Sequence, residues 1–186
     1  MLDCRHILKK INKSIAVTSV SGNALDLEAG IKTAVALVRG RGSSGLKVFI
    51  IGNGGSAAIA SHVAADLLKN ARVSAIVFND ASLLTCISND LGYKRVFEQP
   101  IATLANRGDL LIAISSSGKS QNILNACRQA KGKGCALITL SGFGGDNPLR
   151  KMGELNFYVS SRSYGYVEVA HMLICHTITD ILAGAG

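Results

Sequence analysis

Apolar positions along the chain fall into two patterns. From residue 2 to residue 38 they recur three and four apart: Leu2, Ile7, Leu8, Ile11 and Ile15, then Leu25, Leu27, Ile31, Val35, Leu37 and Val38. That spacing predicts helix, broken at Ser21-Gly22-Asn23, where glycine and asparagine favour a turn. Gly40, Gly42 and Gly45 close the region. Further on, the apolar residues come in short continuous runs: KVFIIG (47–52), SAIVFN (74–79), DLLIAIS (109–115) and CALITLS (135–141), with a weaker fifth, NFYVS (156–160). Runs without alternation are expected of parallel strands buried on both faces. Helical spacing fills the gaps at 56–69, 93–105, 119–131 and 165–183, with a short piece at 145–152 that Pro148 suits as a start. Strands alternating with helices predict a single α/β domain built on a doubly wound parallel sheet, with a helical N-terminal segment over residues 1–40.

Composition narrows the class. The 186 residues suffice for one domain with a substantial core. Hydrophobic residues make up 48% and mean hydropathy is +0.30, yet no apolar run approaches the ~20 residues of a membrane span. The start, MLDCRHILKKINKS, has no apolar signal core. The apolar surplus is therefore expected inside the sheet, at subunit contacts, or in both. Five widely spaced cysteines without a CxxC pair favour reduced thiols and a cytoplasmic protein. The net charge of +8 admits three readings: a nucleic-acid binder, attraction of a small anionic substrate, or a solvated basic surface. Aromatic content of 5%, no tryptophan and no dense basic run weigh against nucleic acid.

Two loops carry candidate chemistry. In a doubly wound sheet, ligands bind beyond the carboxyl ends of the strands. The first strand there ends in Gly52-Asn53-Gly54-Gly55-Ser56, leading into a helix. Glycines allow close backbone approach, and the helix aims unpaired N–H groups at the loop. The loop is either a plain tight turn or an anion cradle; it is neither GxGxxG nor GxxxxGK[ST]. The third strand ends in Ser115-Ser116-Ser117-Gly118-Lys119-Ser120. One helix needs one cap, not four serines, so the hydroxyls point to phosphate binding.

The helix after the glycine loop holds His62 and Asp66 at i and i+4 among small apolar residues, either a structural pair or working groups. The last helix adds Glu168, His171 and His176. Glu168 and His176 stand about 12 Å apart along a straight helix. If both lie on one straight stretch they do not readily share a single ion, so either the helix begins near Glu168 or different chains supply the two groups. His171 reads as a satisfied core or interface histidine.

GNGGS leading into a helix with His62 and Asp66, followed by ISSSGKS after a strand, resembles the sugar isomerase (SIS) domain, and more narrowly the phosphoheptose isomerase subfamily. The likeness extends over nearly the whole chain, including Asn89-Asp90. It implies a five-stranded parallel sheet flanked by helices, the N-terminal segment packed at an oligomer interface, and a cytoplasmic homotetramer with active sites at subunit contacts. It implies interconversion of sedoheptulose 7-phosphate and an aldose phosphate through an enediol, with a role in heptose supply for surface polysaccharide. By the resemblance, Ser56, Ser115, Ser116, Ser117 and Ser120 hold the phosphate, Asn53, Asp90 and the further candidate Asp80 line the sugar, and Gly54, Gly55 and Glu168 complete the substrate-binding set. His62, Asp66, Glu168 and His176 are implied zinc ligands, with Asp66 as base and His176 as acid. The family carries glutamate where this chain has Asp66, and glutamine where it has Glu168. The alternative is a non-catalytic phosphosugar-binding module, or an adaptor of the replication initiator DnaA, as one SIS protein is.

Overall fold

The computed structural model describes residues 9, 11 and 13–184. Seven strands form one mixed sheet. They are β1 (Ile15–Ser19), β2 (Ala24–Leu25), β3 (Val48–Ile51), β4 (Ala75–Ile76), β5 (Leu110–Ser115), β6 (Ala136–Gly142) and β7 (Leu155–Val159), in the order β2-β1-β7-β6-β5-β3-β4. The five strands from β3 onward pair in parallel, at the apolar runs identified above. β3, β5, β6 and β7 are buried along their whole length.

Alternate residues of each strand feed two cores. Val48, Ile50, Leu110, Ile112, Ile138 and Leu140 face α1 (Leu27–Ser43), α2 (Gly55–Lys69) and α6 (Tyr164–Ala183). Phe49, Ile51, Leu111, Ala113 and Leu137 face α3 (Ala81–Leu91), α4 (Glu98–Leu104) and α5 (Gln121–Gly132). Covering both faces is what makes the runs continuous rather than alternating.

The structure corrects the N-terminal expectation. Residues 9, 11, 13 and 14 are helical, but Ile15–Ser19 is a strand antiparallel to β7, with Val17 opposite Phe157. The break at 21–23 is real, but it is the turn of a hairpin, with Val17 opposite Leu25. IAVTS is short enough to suit either periodicity. Pairing with the open edge of β7, and burial of Val17 against Gly30 of α1, settle it as strand. Leu2, Ile7 and Leu8 lie outside the described residues. The implied five-stranded parallel sheet is therefore one side of a mixed seven-stranded one, with the β1–β2 hairpin added at its β7 edge.

Two smaller differences lie beyond β4. The run 74–79 pairs over two residues only, because β4 is the outer edge and has one neighbour. The chain then turns into α3, left unassigned above although Leu84, Ile87 and Leu91 stand at helical spacing. Asp80 caps this helix, accepting from Leu83 N at 3.0 Å and Ser82 Oγ at 2.8 Å. These bonds hold its carboxyl below the usual range. The expected helix 93–105 is a 3₁₀ turn (Tyr93–Arg95) followed by α4, and the piece near 148 is a 3₁₀ turn capped by Asn147. Phe157, fully buried at the junction of β1, β7 and α1, should be the costliest truncation here. Phe157→Ala is expected to lower unfolding free energy by about 3–5 kcal/mol in urea denaturation.

Candidate active site

Strand order creates the site. β3 is flanked by β4 on one side and β5 on the other, so the chain reverses its direction of travel across the sheet between β3 and β5. Loops leaving the carboxyl ends of two such strands diverge and leave a crevice. Here the loops are 52–54 and 116–120. They are tied together by a reciprocal amide pair: Asn53 Nδ2 donates to Asn122 Oδ1 at 3.0 Å, and Asn122 Nδ2 to Asn53 Oδ1 at 2.9 Å. Tyr93 Oη adds a third bond to Asn53 Oδ1 at 2.9 Å. Asn53 is thereby a strut between the loops as well as a lining residue.

The crevice is a cavity of about 130 Å³ lined by Asn53, Ser56, Ser115, Ser116, Ser117, Ser120, Tyr164 and Glu168. Two features suit it to an anion. Neither α2, which follows Gly54, nor α5, which follows Ser120, has a side-chain bond from its cap residue, and Gly55 N on α2 and Gln121 N and Asn122 N on α5 have no hydrogen-bond partner among the described residues. And Ser116 Oγ is buried without a hydrogen-bond partner. An unpaired buried hydroxyl needs an acceptor, which a phosphoryl oxygen supplies. No cation among the described residues lines the cavity, so recognition there rests on hydroxyls and backbone dipoles.

Glu168 also lies here. Its carboxylate lies against the backbone at Gly55, where an added Cβ would stand 2.5 Å from Oε1 and push the carboxylate aside. Tyr164, at the first position of α6, is a lining residue that the sequence pattern does not single out; it sits edge-on to Phe143, with ring centroids 4.7 Å apart. Asp90 is elsewhere, exposed on α3, where it accepts from Asn89 Nδ2 at 2.8 Å.

A second group forms where α2 packs on α6. His62 Nε2 lies 3.5 Å and His176 Nδ1 3.6 Å from Asp66 Oδ2, and the two imidazole centroids are 5.0 Å apart. One ligand atom from each of the three falls within 4.8 Å of the others. A single chain thus assembles both imidazoles and the carboxylate. Glu168 is not among them: it and His176 occupy one continuous helix, and Glu168 belongs to the hydroxyl crevice. Two imidazoles and a carboxylate are a donor set that zinc takes, and a three-residue site leaves a coordination position open.

His171 is core. It is fully buried, and Nε2 stands 3.2 Å from Ser141 O, so that nitrogen carries the proton and Nδ1 is left without a partner. Burial pushes its pKa down to about 4, against the smaller upward pull of the Ser141 bond.

The crevice at the switch point, flanked by glycine and serine loops at helix N-termini, defines the class. The family model described as "SIS domain" matches residues 15–142. A phosphoheptose isomerase of Aliarcobacter butzleri is 38% identical over 162 residues, spanning 84% of this chain and 83% of that protein. One of Sulfurimonas denitrificans is 36% identical over 188 residues, spanning 96% and 94%. Among solved structures, phosphoheptose isomerase GmhA of Neisseria gonorrhoeae superposes with a TM-score of 0.82 at 26% identity, over 96% of this chain and 94% of that one. The chain belongs to the SIS-domain family, among its phosphoheptose isomerases.

His171 gives a pH signature. Its folded pKa lies below the unfolded value of 6.5, so the unfolded chain takes up a proton first as pH falls. The contribution is complete above pH 6.5 and is lost between pH 6.5 and 4, to about 3 kcal/mol at most. His171→Gln, which keeps a donor toward Ser141, should flatten the fall in Tm between pH 7 and pH 5. An unchanged slope would show that other groups carry the acid sensitivity.

Proposed function

We propose that the protein is an aldose–ketose isomerase that interconverts sedoheptulose 7-phosphate and glycero-manno-heptose 7-phosphate. The observation that carries this reading is the coexistence of an uncapped, hydroxyl-lined anion crevice with an intact imidazole–carboxylate–imidazole group, in a chain whose relatives over most of its length are named phosphoheptose isomerases. A binding module would need only the first of these.

The substrate's phosphate sits in the crevice, accepting from Ser116, its serine neighbours and the helix N-termini. Glu168, an acceptor beside a phosphate pocket, serves sugar hydroxyls rather than phosphate oxygens. Asp66 is the base. Its Oδ2 faces both imidazoles, and Oδ1 has no hydrogen-bond partner among the described residues. It takes the proton from C1 of the ketose, the C–H electrons form the C1–C2 double bond, and the former carbonyl oxygen on C2 gains a proton. His176 supplies that proton from Nε2, the ring nitrogen that does not face Asp66. Collapse to the aldose reverses the roles: the C1 hydroxyl proton returns to His176, and Asp66 delivers its proton to C2. His62, Asp66 and His176 are the residues that would hold a zinc ion, which when bound polarises the reacting carbonyl.

A second copy of the chain completes the site. Six residues separate Ser56 from His62 on α2, about 9 Å of helix, so the crevice and the histidine group are open neighbours rather than one closed cavity. Large apolar side chains are exposed on the same two helices: Leu68 on α2 and Val169, Leu173 and Ile181 on α6, with Leu173 half-exposed and lining, with Ile181, an apolar groove against Leu27 and Ile31 of α1. We infer a homo-oligomer, a tetramer by the resemblance, with this face covered, and a cytoplasmic setting. No helix among the described residues is long and apolar enough to cross a membrane.

Steady-state assay on sedoheptulose 7-phosphate tests the reaction. Asp66→Asn and His176→Gln are each expected to lower kcat by about 10²–10⁴-fold, with folding retained; full activity in both variants overturns the assignment. Metal analysis should find zinc in the purified protein, and His62→Gln should reduce the bound fraction. Leu173→Glu should lower the mass measured by light scattering, because burying a charge in an apolar contact is costly.

A further inference from the structure

A second polar cavity, of about 400 Å³, lies at the other edge of the sheet, where the β1–β2 hairpin meets the 3₁₀ turn after β6. Its size falls in the range of small-ligand sites, roughly 300–1,000 Å³. Thr18 and the mutually hydrogen-bonded pair Ser19 and Ser21 (Oγ to Oγ 2.9 Å) bring hydroxyls from the hairpin, and Arg150 and Lys151 offer cations from the turn. No carboxylate lines it, and neither cation has an ion-pair partner among the described residues.

Arg150 is held in place before any ligand arrives. Its guanidinium stacks 4.1 Å from the ring centre of Tyr158, and Nη1 donates to Gly145 O at 2.9 Å. Tyr158 is fixed in turn by its hydroxyl donating to Phe143 O at 2.9 Å. Arg150 is partly buried by these contacts, so its guanidinium is oriented rather than free in solvent. A positioned guanidinium, an adjacent ammonium and several hydroxyls make up a donor set matched to phosphoryl oxygens.

The turn that carries Arg150 also touches the hydroxyl loop. Asn147 Oδ1 accepts from Arg150 N at 3.0 Å, while Asn147 Nδ2 donates to Gly142 O at 3.2 Å and Gly144 O at 2.8 Å. Leu149 N donates to Gly118 O at 3.2 Å. Gly118 has φ +61, and a Cβ on it would overlap the Asn147 side chain. A ligand on Arg150 therefore sits one residue from the turn's contact with the loop that carries Ser117.

We propose that this cavity is a second anion site, separate from the substrate crevice, that takes a small phosphorylated molecule as an effector. The proposal stands whether or not the crevice has the role assigned above.

Isothermal titration of the full chain with inorganic pyrophosphate tests it. Two classes of site are expected. Arg150→Gln/Lys151→Gln should weaken one class at least tenfold and spare the other, with the Tm of the wild type. Ser116→Val should do the converse. Should the double variant lose stability, Ser19→Ala/Ser21→Ala, which keeps both cations, is expected to weaken the same class several-fold. Pyrophosphate binding of wild-type affinity and stoichiometry in the cation and hydroxyl variants alike overturns the proposal. So does a wild-type protein whose only class is the one Ser116→Val removes.

Discussion

The parallel pairing of β3 with β5 is the constraint on which the functional architecture depends. Val48 to Ile51 register against Leu110 to Ala113, and β5 runs on two residues further to Ser115. That alignment brings a glycine loop beside a serine loop and points two uncapped helices at one crevice. A one-residue slip would turn every side chain to the opposite face. Ile50 and Ile112 would then leave the core under α2 and α6, and the crevice would lose its floor. The Asn53–Asn122 pair closes this arrangement from above, linking the two loops by bonds that neither loop makes alone.

The second constraint is the packing of α2 on α6. Both helices present small or branched apolar residues to the sheet: Ala60, Val63 and Ala64 on one, Ile174 and Ile178 on the other. Small residues allow close approach, and close approach places His62 and Asp66 opposite His176. The group lies at the margin of this contact, half-exposed, where a substrate has access. Glu168 lies on the same helix as His176 but two turns toward the N-terminus, and Gly55 makes room for it at the crevice. One helix thus serves two chemistries because eight residues separate its carboxylate from its imidazole.

Several residues were legible in the sequence because their types have few other uses. Four serines at one helix start exceed what capping requires, and all four line the crevice. His62 and Asp66 share a helix face by spacing alone. The strands showed themselves by being apolar without alternation, and the five parallel strands fall on those runs. Other parts were not legible. IAVTS carries no periodicity long enough to separate strand from helix, and its state depends on β7, at the far end of the chain. Asp90, placed with the sugar by resemblance, is exposed on α3 and is not among the residues that line the crevice.

What the sequence by itself determined is the inventory: which segments are apolar enough to be buried on both faces, which loops carry free N–H groups and hydroxyls, and which helices bear imidazole and carboxylate. These follow from local composition and period, which each segment holds without reference to the rest. What only the tertiary structure decided is the grouping. Asp66 meets His176 rather than Glu168, Tyr164 enters the crevice, and Arg150 comes to the β1–β2 hairpin. Each of these joins residues far apart in the chain, and such contacts are selected by the collective packing of the sheet and its helices, which no single segment encodes.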